Sequence, residues 1–343
     1  VHGERMKQKS WIVHKPARGA YDPGCLKLEE RERPSQADGE VLVRTLLLSL
    51  DPGSRNWLRL DPASSHSALG VGSVMVGMAV GEVVQSGAGR FCRGDLVQGL
   101  WGWEEFSVVR ADALERIELP PGVPLETHLS IFSHIGRAAA IGLLEVGALS
   151  PSDTVVVSGA AGATGSLAAQ IAKAFGARVI GIAGGEAKCR RLLDEWGLDG
   201  AIDYKSEPLD AALRRECPDG IDLYFDNVGG ATLDAVLENM AVGCRIVVCG
   251  AISQYDLATE SEAYGIKNLP LMLIKQARME GFIVSQFEHR YAEFDAVLLD
   301  LFTQGKLKHR AHLVDGLQHA AESLKLFFSG ANEGKVMIRV AAR

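Results

Sequence analysis

Between Asp153 and Lys205 the chain reads DTVVVSGAAGATGSLAAQIAKAFGARVIGIAGGEAKCRRLLDEWGLDGAIDYK, a β-branched run, a glycine-rich turn, an amphipathic stretch and a second apolar run. Thr154 to Val157 are too uniformly apolar to alternate, which predicts a strand buried on both faces of a parallel sheet. Gly159, Gly162 and Gly165 follow it at a spacing of three. In such a turn the first glycine permits the sharp exit from the strand. The second lets backbone approach a pyrophosphate, and the third lets the following helix pack on the strand. The helix, read as starting at Ser166 and ending near Gly176, would present its N-terminal N–H groups to the anion. A strand ending at Ser158 and another over Arg178 to Ile182 complete a βαβ unit, so the stretch predicts a dinucleotide site.

The tip of the second strand discriminates between dinucleotides. A site for NAD places Asp or Glu there to hold the ribose hydroxyls, whereas this chain has Ala183, Gly184 and Gly185, then Glu186, Lys188, Arg190 and Arg191. A missing acid and nearby cations suit a 2′-phosphate, because charge-assisted bonds to phosphate are strong. NADP(H) is therefore expected, with Glu186 as the residue that argues against it. The competing reading makes the three cations a solvated helix face.

The 343 residues, 47% hydrophobic and 23% charged, suffice for two cores. No apolar stretch is read as long enough to span a bilayer. A net charge of −7, from 43 acidic and 36 basic residues, with no basic tract, argues against nucleic acid as a partner. Six cysteines scattered at 25, 92, 189, 217, 244 and 249, with no apolar leader in Val1 to Lys9, predict free thiols in a reducing cytoplasm.

Ahead of the nucleotide unit, Glu40–Leu50, Val71–Val84, Asp95–Leu100 and Glu105–Val109 are short β-rich runs separated by turn residues, which predicts an antiparallel β domain. From Asp153 onward strands alternate with helices. Val155–Ser158, Val179–Ala183, Gly200–Asp203, Leu223–Asn227, Arg245–Cys249 and Gly281–Val284 make a doubly wound α/β sheet. The tail Gly334–Val340 reverts to strand patterning and is expected to rejoin the first domain. The expected division is residues 1–130 with 310–343 for the β domain and 131–309 for the dinucleotide-binding domain.

The blocks SLDPGSR (Ser49–Arg55), AVGEVVQSGAGRFCRGDLVQGLWGWEEF (Ala79–Phe106), GLLEVG (Gly142–Gly147), VSGAAGATGSLAAQIAK (Val157–Lys173), YFDNVGG (Tyr224–Gly230), CGAISQY (Cys249–Tyr255), MEGFIV (Met279–Val284) and NEGKVMIRV (Asn332–Val340) resemble the zinc-free medium-chain dehydrogenase/reductase family, in its prostaglandin, alkenal and curcumin reductase branch. The resemblance covers nearly the whole chain. It implies a Rossmann domain plus a GroES-like β substrate domain, and NADPH-dependent, metal-free reduction of the carbon–carbon double bond of α,β-unsaturated aldehydes or ketones, a small-molecule substrate. It also implies that Gly162, Ala163, Thr164 and Gly165 meet the pyrophosphate, Lys188 and Tyr204 the 2′-phosphate end, and Asn227 the ribose. Along the nicotinamide half it implies Cys249, Gly250, Ala251, Ile252 and Ser253, the strand end Phe282, Ile283 and Val284, and Asn332 from the tail. Relatives of this kind are usually homodimers, and Gly243–Cys249 with an edge strand at Gly281–Val284 offers an edge for two-fold pairing.

Zinc relatives of the same fold need a ligand histidine where Met78 stands, and no C-x-x-C occurs; His66, His128 and His134 are isolated. Without a metal, the substrate carbonyl oxygen must be polarised by hydrogen-bond donors. Tyr255 is the first candidate, with a packing ring as the alternative. Tyr264 reads as substrate wall or as surface, and Arg55 as a substrate contact or a brace of its own turn. Arg137–Ala140 (RAAA) and Gly53–Ser54 stand where relatives carry Thr-Ala-Tyr-like and Tyr-Met-like sequences, which predicts a roomier pocket and bulkier substrates. A quinone reductase and a non-catalytic NADPH-binding module are the alternative functions.

Overall fold

The computed structural model describes residues 6–59, 69–257 and 260–343, which form two units: residues 1–129 with 311–343, and residues 130–310. The first unit opens with a two-stranded antiparallel pair that the sequence did not announce, β1 (Lys7–Val13) and β2 (Leu26–Glu32). It continues with β3 (Glu40–Ser49), β4 (Val76–Ser86), β5 (Leu96–Gly102), β6 (Phe106–Arg110) and the short β7 (Glu115–Arg116). These pair antiparallel around β3 and β4 over a core that includes Val41, Val43, Leu48, Ala79, Val83 and Trp103. Ala79 and Val83 of β4 belong to this core, and Val80 between them is buried in a second cluster with Leu46 and Leu47.

Helices α1 (Leu125–Ile131) and α2 (His134–Ala140) follow, and α2 continues as a π-helical turn, Ile141–Val146. The stretch Leu125–Val146 is long and apolar enough to cross a membrane by length and composition, which corrects the expectation that no such stretch exists. Its most apolar 18-residue window is 83% buried inside the fold, so its apolar character is that of a core helix.

The second unit then alternates β8 (Thr154–Ser158), α3 (Ala163–Ala174), β9 (Arg178–Ala183), α4 (Glu186–Asp194), β10 (Gly200–Asp203), α5 (Leu209–Glu216), β11 (Ile221–Asp226), α6 (Gly230–Glu238), β12 (Met240–Val248), α7 (Leu271–Lys275), β13 (Arg278–Gly281) and α8 (Tyr291–Thr303). All six strands are parallel, in the order β10-β9-β8-β11-β12-β13. This doubly wound sheet changes direction between β8 and β11, which is where such sheets bind ligands. The apolar run in β8 explains its central place. Val155 and Val157 face one helical layer and Val156 the other, all three fully buried. Each such side chain contributes about 1.5–3 kcal/mol.

The last strand ends sooner than expected: β13 is Arg278–Gly281, Phe282 and Ile283 lie beyond it, and Val284 opens a 3₁₀ turn. The tail forms β14 (Ala311–Asp315) and β15 (Lys335–Arg339), and β15 pairs antiparallel with β3, returning the chain to the first unit.

Candidate cofactor and catalytic site

The turn after β8 is built by its glycines. Gly159 has φ +58°, a conformation that glycine adopts without a Cβ penalty. Ala160 N–H donates to Ile182 O (3.0 Å), tying the turn to β9, and Gly162 N–H donates to Gly159 O (2.9 Å). A Cβ on Gly165 would lie 2.3 Å from Gly159 O, so helix and turn touch backbone to backbone. The helix starts at Ala163, three residues before the expected Ser166, with Gly162 as a cap that supplies no side chain. Ala163, Thr164 and Gly165 therefore form a first turn whose N–H groups no side chain satisfies, the arrangement that accepts a phosphate oxygen.

At the tip of β9, Gly185 (φ +96°) donates its N–H to Asp203 Oδ1 (2.8 Å), which also accepts from Lys205 N–H (3.0 Å). These bonds hold the Asp203 carboxyl below its usual range. A Cβ on Gly184 would lie 2.9 Å from the Tyr204 hydroxyl and 2.9 Å from Lys205 Cε, so both side chains lie across this glycine. Lys188 sits in the first turn of α4. Glu186 is ion-paired with Arg190 (2.5 Å) on the exposed helix face, which accounts for both. The acid nearest the tip is thus consumed by backbone or helix partners, and Lys205 adds a cation that the motif reading missed. Its signal was its place next to Tyr204 at the end of the strand adjoining β9.

The ends of β11 and β12 form one network. Asn227 donates from Nδ2 to Ser158 O (2.7 Å) and from its backbone to Ser158 Oγ (2.9 Å), which leaves its Oδ1 as an acceptor. Cys249 and Gly250 both donate backbone N–H to Asp226 O (2.9 and 3.0 Å). Burial pushes the Cys249 thiol up to about 12, and the Asp226 carboxyl adds to it. Ile252 N–H donates to Asn227 O (3.1 Å) and Ser253 Oγ to Val228 O (2.6 Å), so Gly250, Ala251, Ile252 and Ser253 run against the Asn227 turn. Tyr255 closes the loop: its hydroxyl accepts from Ala251 N–H (3.1 Å) and keeps its own proton to donate. Burial raises its pKa, so it stays protonated through the physiological range.

Phe282 packs on the core at the open end of β13, edge-on to Phe287 at 6.5 Å between ring centroids, beside the half-exposed Ile283 and then Val284. Asn332 belongs to the other unit, where Nδ2 donates to Gly334 O (3.3 Å).

Several sequence candidates have other tasks. Tyr264 donates its hydroxyl to Asp234 Oδ2 (2.8 Å), and Asp234 also accepts from Lys267 and Asn268 backbone, so Tyr264 pins a loop to α6. Arg55 is buried and donates to Gly19 O, which ties its turn to the segment before β2 and not to the turn itself. Arg137 forks onto Asp295 through Nε and Nη2 (both 2.8 Å) and stacks 4.0 Å over Tyr291, clamping α2 to α8. Ala140 is fully buried in the helical core, so it lines no open pocket and the roominess expected of it is corrected; its small size instead lets α2 lie close against α3. A Cβ on Gly53, by contrast, meets open space. His128 is bonded to Gln98 (3.0 Å), and His66 lies outside the described residues. The described residues bring together no group of three His, Cys, Asp or Glu side chains able to hold a metal.

Residues 9–117 match the family described as the N-terminal domain of oxidoreductase, and residues 163–304 the one described as zinc-binding dehydrogenase. The chain belongs to the medium-chain dehydrogenase/reductase family, in its zinc-free branch of curcumin, alkenal and prostaglandin reductases. It is 36% identical to the NADPH-dependent curcumin reductase of Escherichia coli over 98% of each chain, and 40% identical to the 2-alkenal reductase (NADP(+)-dependent) of Nicotiana tabacum over 89% of each. Its fold is similar to that of CurA from Vibrio vulnificus in complex with NADPH (TM-score 0.90, 35% identity, 98% of this chain and all of that one).

Proposed function

We propose that the protein reduces the carbon–carbon double bond of α,β-unsaturated ketones and aldehydes with NADPH. The observation that carries this reading is the tip of β9, where no free acid stands and Tyr204 and Lys205 lie across Gly184 beside Lys188, next to the uncapped first turn of α3. The names and similarity of the curcumin and alkenal reductases support it. Lys188, Tyr204 and Lys205 would hold the 2′-phosphate. Gly162 to Gly165 would hold the pyrophosphate and Asn227 the ribose. The Cys249–Ser253 loop and Phe282 to Val284 would line the nicotinamide half. When bound, the cofactor supplies the hydride.

As the enone β-carbon is reduced, negative charge gathers on the carbonyl oxygen, and a donor aimed at that oxygen lowers the barrier. Tyr255 suits that task. Its oxygen is anchored by Ala251 N–H, its proton is free to donate, and burial keeps it from ionising. The α-carbon then takes a proton from water.

NADPH oxidation with a panel of enones, alkenals and quinones, with product analysis, tests the reading. Saturated carbonyl products are expected, with Tyr255→Phe about 10²–10³ lower in kcat and unchanged in NADPH affinity. Allylic alcohols as products, or faster turnover of quinones than of enones, would overturn it.

A homodimer is part of the proposal. Strand β13 is a sheet edge, and on the neighbouring α7 Leu273 and Ile274 are 85% and 69% exposed, an apolar surface suited to a second copy across a two-fold axis. Sedimentation should give a dimer that Leu273→Glu splits into monomers. The six free thiols suit a reducing cytoplasm.

A further inference from the structure

Asp226 ends β11 where the sheet changes direction, and it is fully buried. A buried carboxylate is costly unless its oxygens are hydrogen-bonded. Here the satisfaction is one-sided. Oδ1 accepts from Tyr224 O–H (2.7 Å), Ser158 Oγ–H (3.1 Å), Val228 N–H (2.9 Å) and Gly229 N–H (2.9 Å). Oδ2 is buried with no partner among the described residues. Burial raises the carboxyl's pKa while the four donors pull it down.

The donors come from β8, from β11 itself and from the turn that follows it. Ser158 is the end of β8, and its oxygen accepts from Asn227 N–H. Val228 and Gly229 form the turn beyond Asn227, where Gly229 (φ +68°) brings the backbone against Ala251; a Cβ there would lie 3.0 Å from the Ala251 Cβ. The Asp226 peptide oxygen meanwhile accepts from Cys249 and Gly250, where the loop leading to Tyr255 begins. One residue therefore fixes the Asn227 turn from both sides and anchors the neighbouring loop.

We infer that Asp226 is a positioning residue for the nicotinamide half of the cofactor site, holding the Asn227 turn and the Cys249–Tyr255 loop in mutual register through Oδ1 and its peptide oxygen. This rests on the reading of the protein as an NADPH enzyme. Asp226 itself touches no reacting atom.

The test separates the two halves of the cofactor. Binding of NADPH and of adenosine 2′,5′-bisphosphate, which reaches the Lys188 end and, through its 5′-phosphate, the first turn of α3 but not the nicotinamide half, is measured by calorimetry for wild type, Asp226→Ala, Asp226→Asn and Ser158→Ala. Asp226→Ala should weaken NADPH about tenfold, the equivalent of about 1.4 kcal/mol, and leave the bisphosphate unchanged. Asp226→Asn retains an acceptor at the Oδ1 position and should bind NADPH nearly as wild type does. If Asp226→Ala does not fold, Ser158→Ala decides, with a smaller loss for NADPH and none for the bisphosphate. Equal weakening of both ligands would reduce Asp226 to a structural residue, and no weakening of either would remove its role; each overturns the inference. Wild-type protein that binds neither ligand would instead overturn the enzyme reading, and the inference with it.

Discussion

Gly165→Ala places one methyl group where the structure leaves no room. Its Cβ would lie 2.3 Å from Gly159 O, 2.9 Å from the same carbonyl carbon and 3.1 Å from Ala160 Cα, all backbone atoms, against an ordinary contact of at least 3.4 Å. No rotamer relieves this, so α3 and the turn must separate by about 1 Å. Overpacking of that kind costs about 1–3 kcal/mol, and about 2 kcal/mol lowers Tm by about 4–8 °C for a unit of this size. The displaced part is the first turn of α3, so binding suffers too. A charge-assisted bond is worth about 1.5–3 kcal/mol, and losing the alignment of one such bond weakens NADPH about ten- to a hundredfold. Gly162→Ala is the comparison: its Cβ would meet only Gly159 O, at 3.1 Å, and its φ of −80° suits alanine, so Tm should fall less than for Gly165→Ala while the methyl obstructs the phosphate. Thermal melts and NADPH titrations of both variants decide the matter. A Gly165→Ala protein with wild-type Tm and affinity would show that the turn and helix are not packed as described.

Lys188→Ala should raise the KM for NADPH by about one to two orders of magnitude, from a lost phosphate contact of about 1.5–3 kcal/mol, and leave NADH kinetics unchanged; Lys205→Ala should do the same more weakly. A wild-type preference for NADH would refute both. With its thiol at about 12, Cys249 is about one part in 10⁴ thiolate at pH 8, so alkylation should run about three orders of magnitude slower than for an ordinary free thiol and quicken tenfold per pH unit up to about 12. Mass spectrometry after iodoacetamide treatment should find the exposed Cys92 labelled well ahead of the partly exposed Cys249, and equal labelling would be contrary to the raised pKa of the Cys249 thiol. Gly53→Tyr should leave Tm unchanged and lower kcat/KM for bulky enones more than for short alkenals, whereas Ala140→Tyr should lower Tm or prevent folding, because its ring has no space to enter.

What the chain disclosed in advance is what depends on short-range pattern. The doubly wound sheet was legible because buried parallel strands read as continuous apolar runs and because each glycine of the turn answers a local steric demand. The missed strands β1 and β2 carry mixed polar patterning, since β2 is largely exposed and only its partner β1 is buried. The burial of Asp226 was likewise illegible: FDN reads as a strand end followed by a turn, and nothing in three letters says that one carboxyl oxygen will collect donors from residues 68 positions upstream and two or three positions downstream.

Ala140 illustrates the opposite hazard. A small residue where relatives carry a ring was read as space in a pocket, yet small residues also appear where two helices approach closely, and sequence alone does not distinguish the two. The neighbouring Arg137 contained the clue. A guanidinium inside an otherwise apolar helix must find a partner within reach, and Asp295 on α8 supplies it only if α2 and α8 pack tightly at this level. The three alanines that follow are buried in the same helical layer, while Gly53, with no atom within 4 Å of its added Cβ, keeps its space open. Of the two positions expected to open space, only the Pro52–Leu58 turn of the β unit has room for a larger side chain. Gly53→Tyr is therefore the substitution that tests whether this turn meets the substrate, since its Cβ meets no atom within 4 Å.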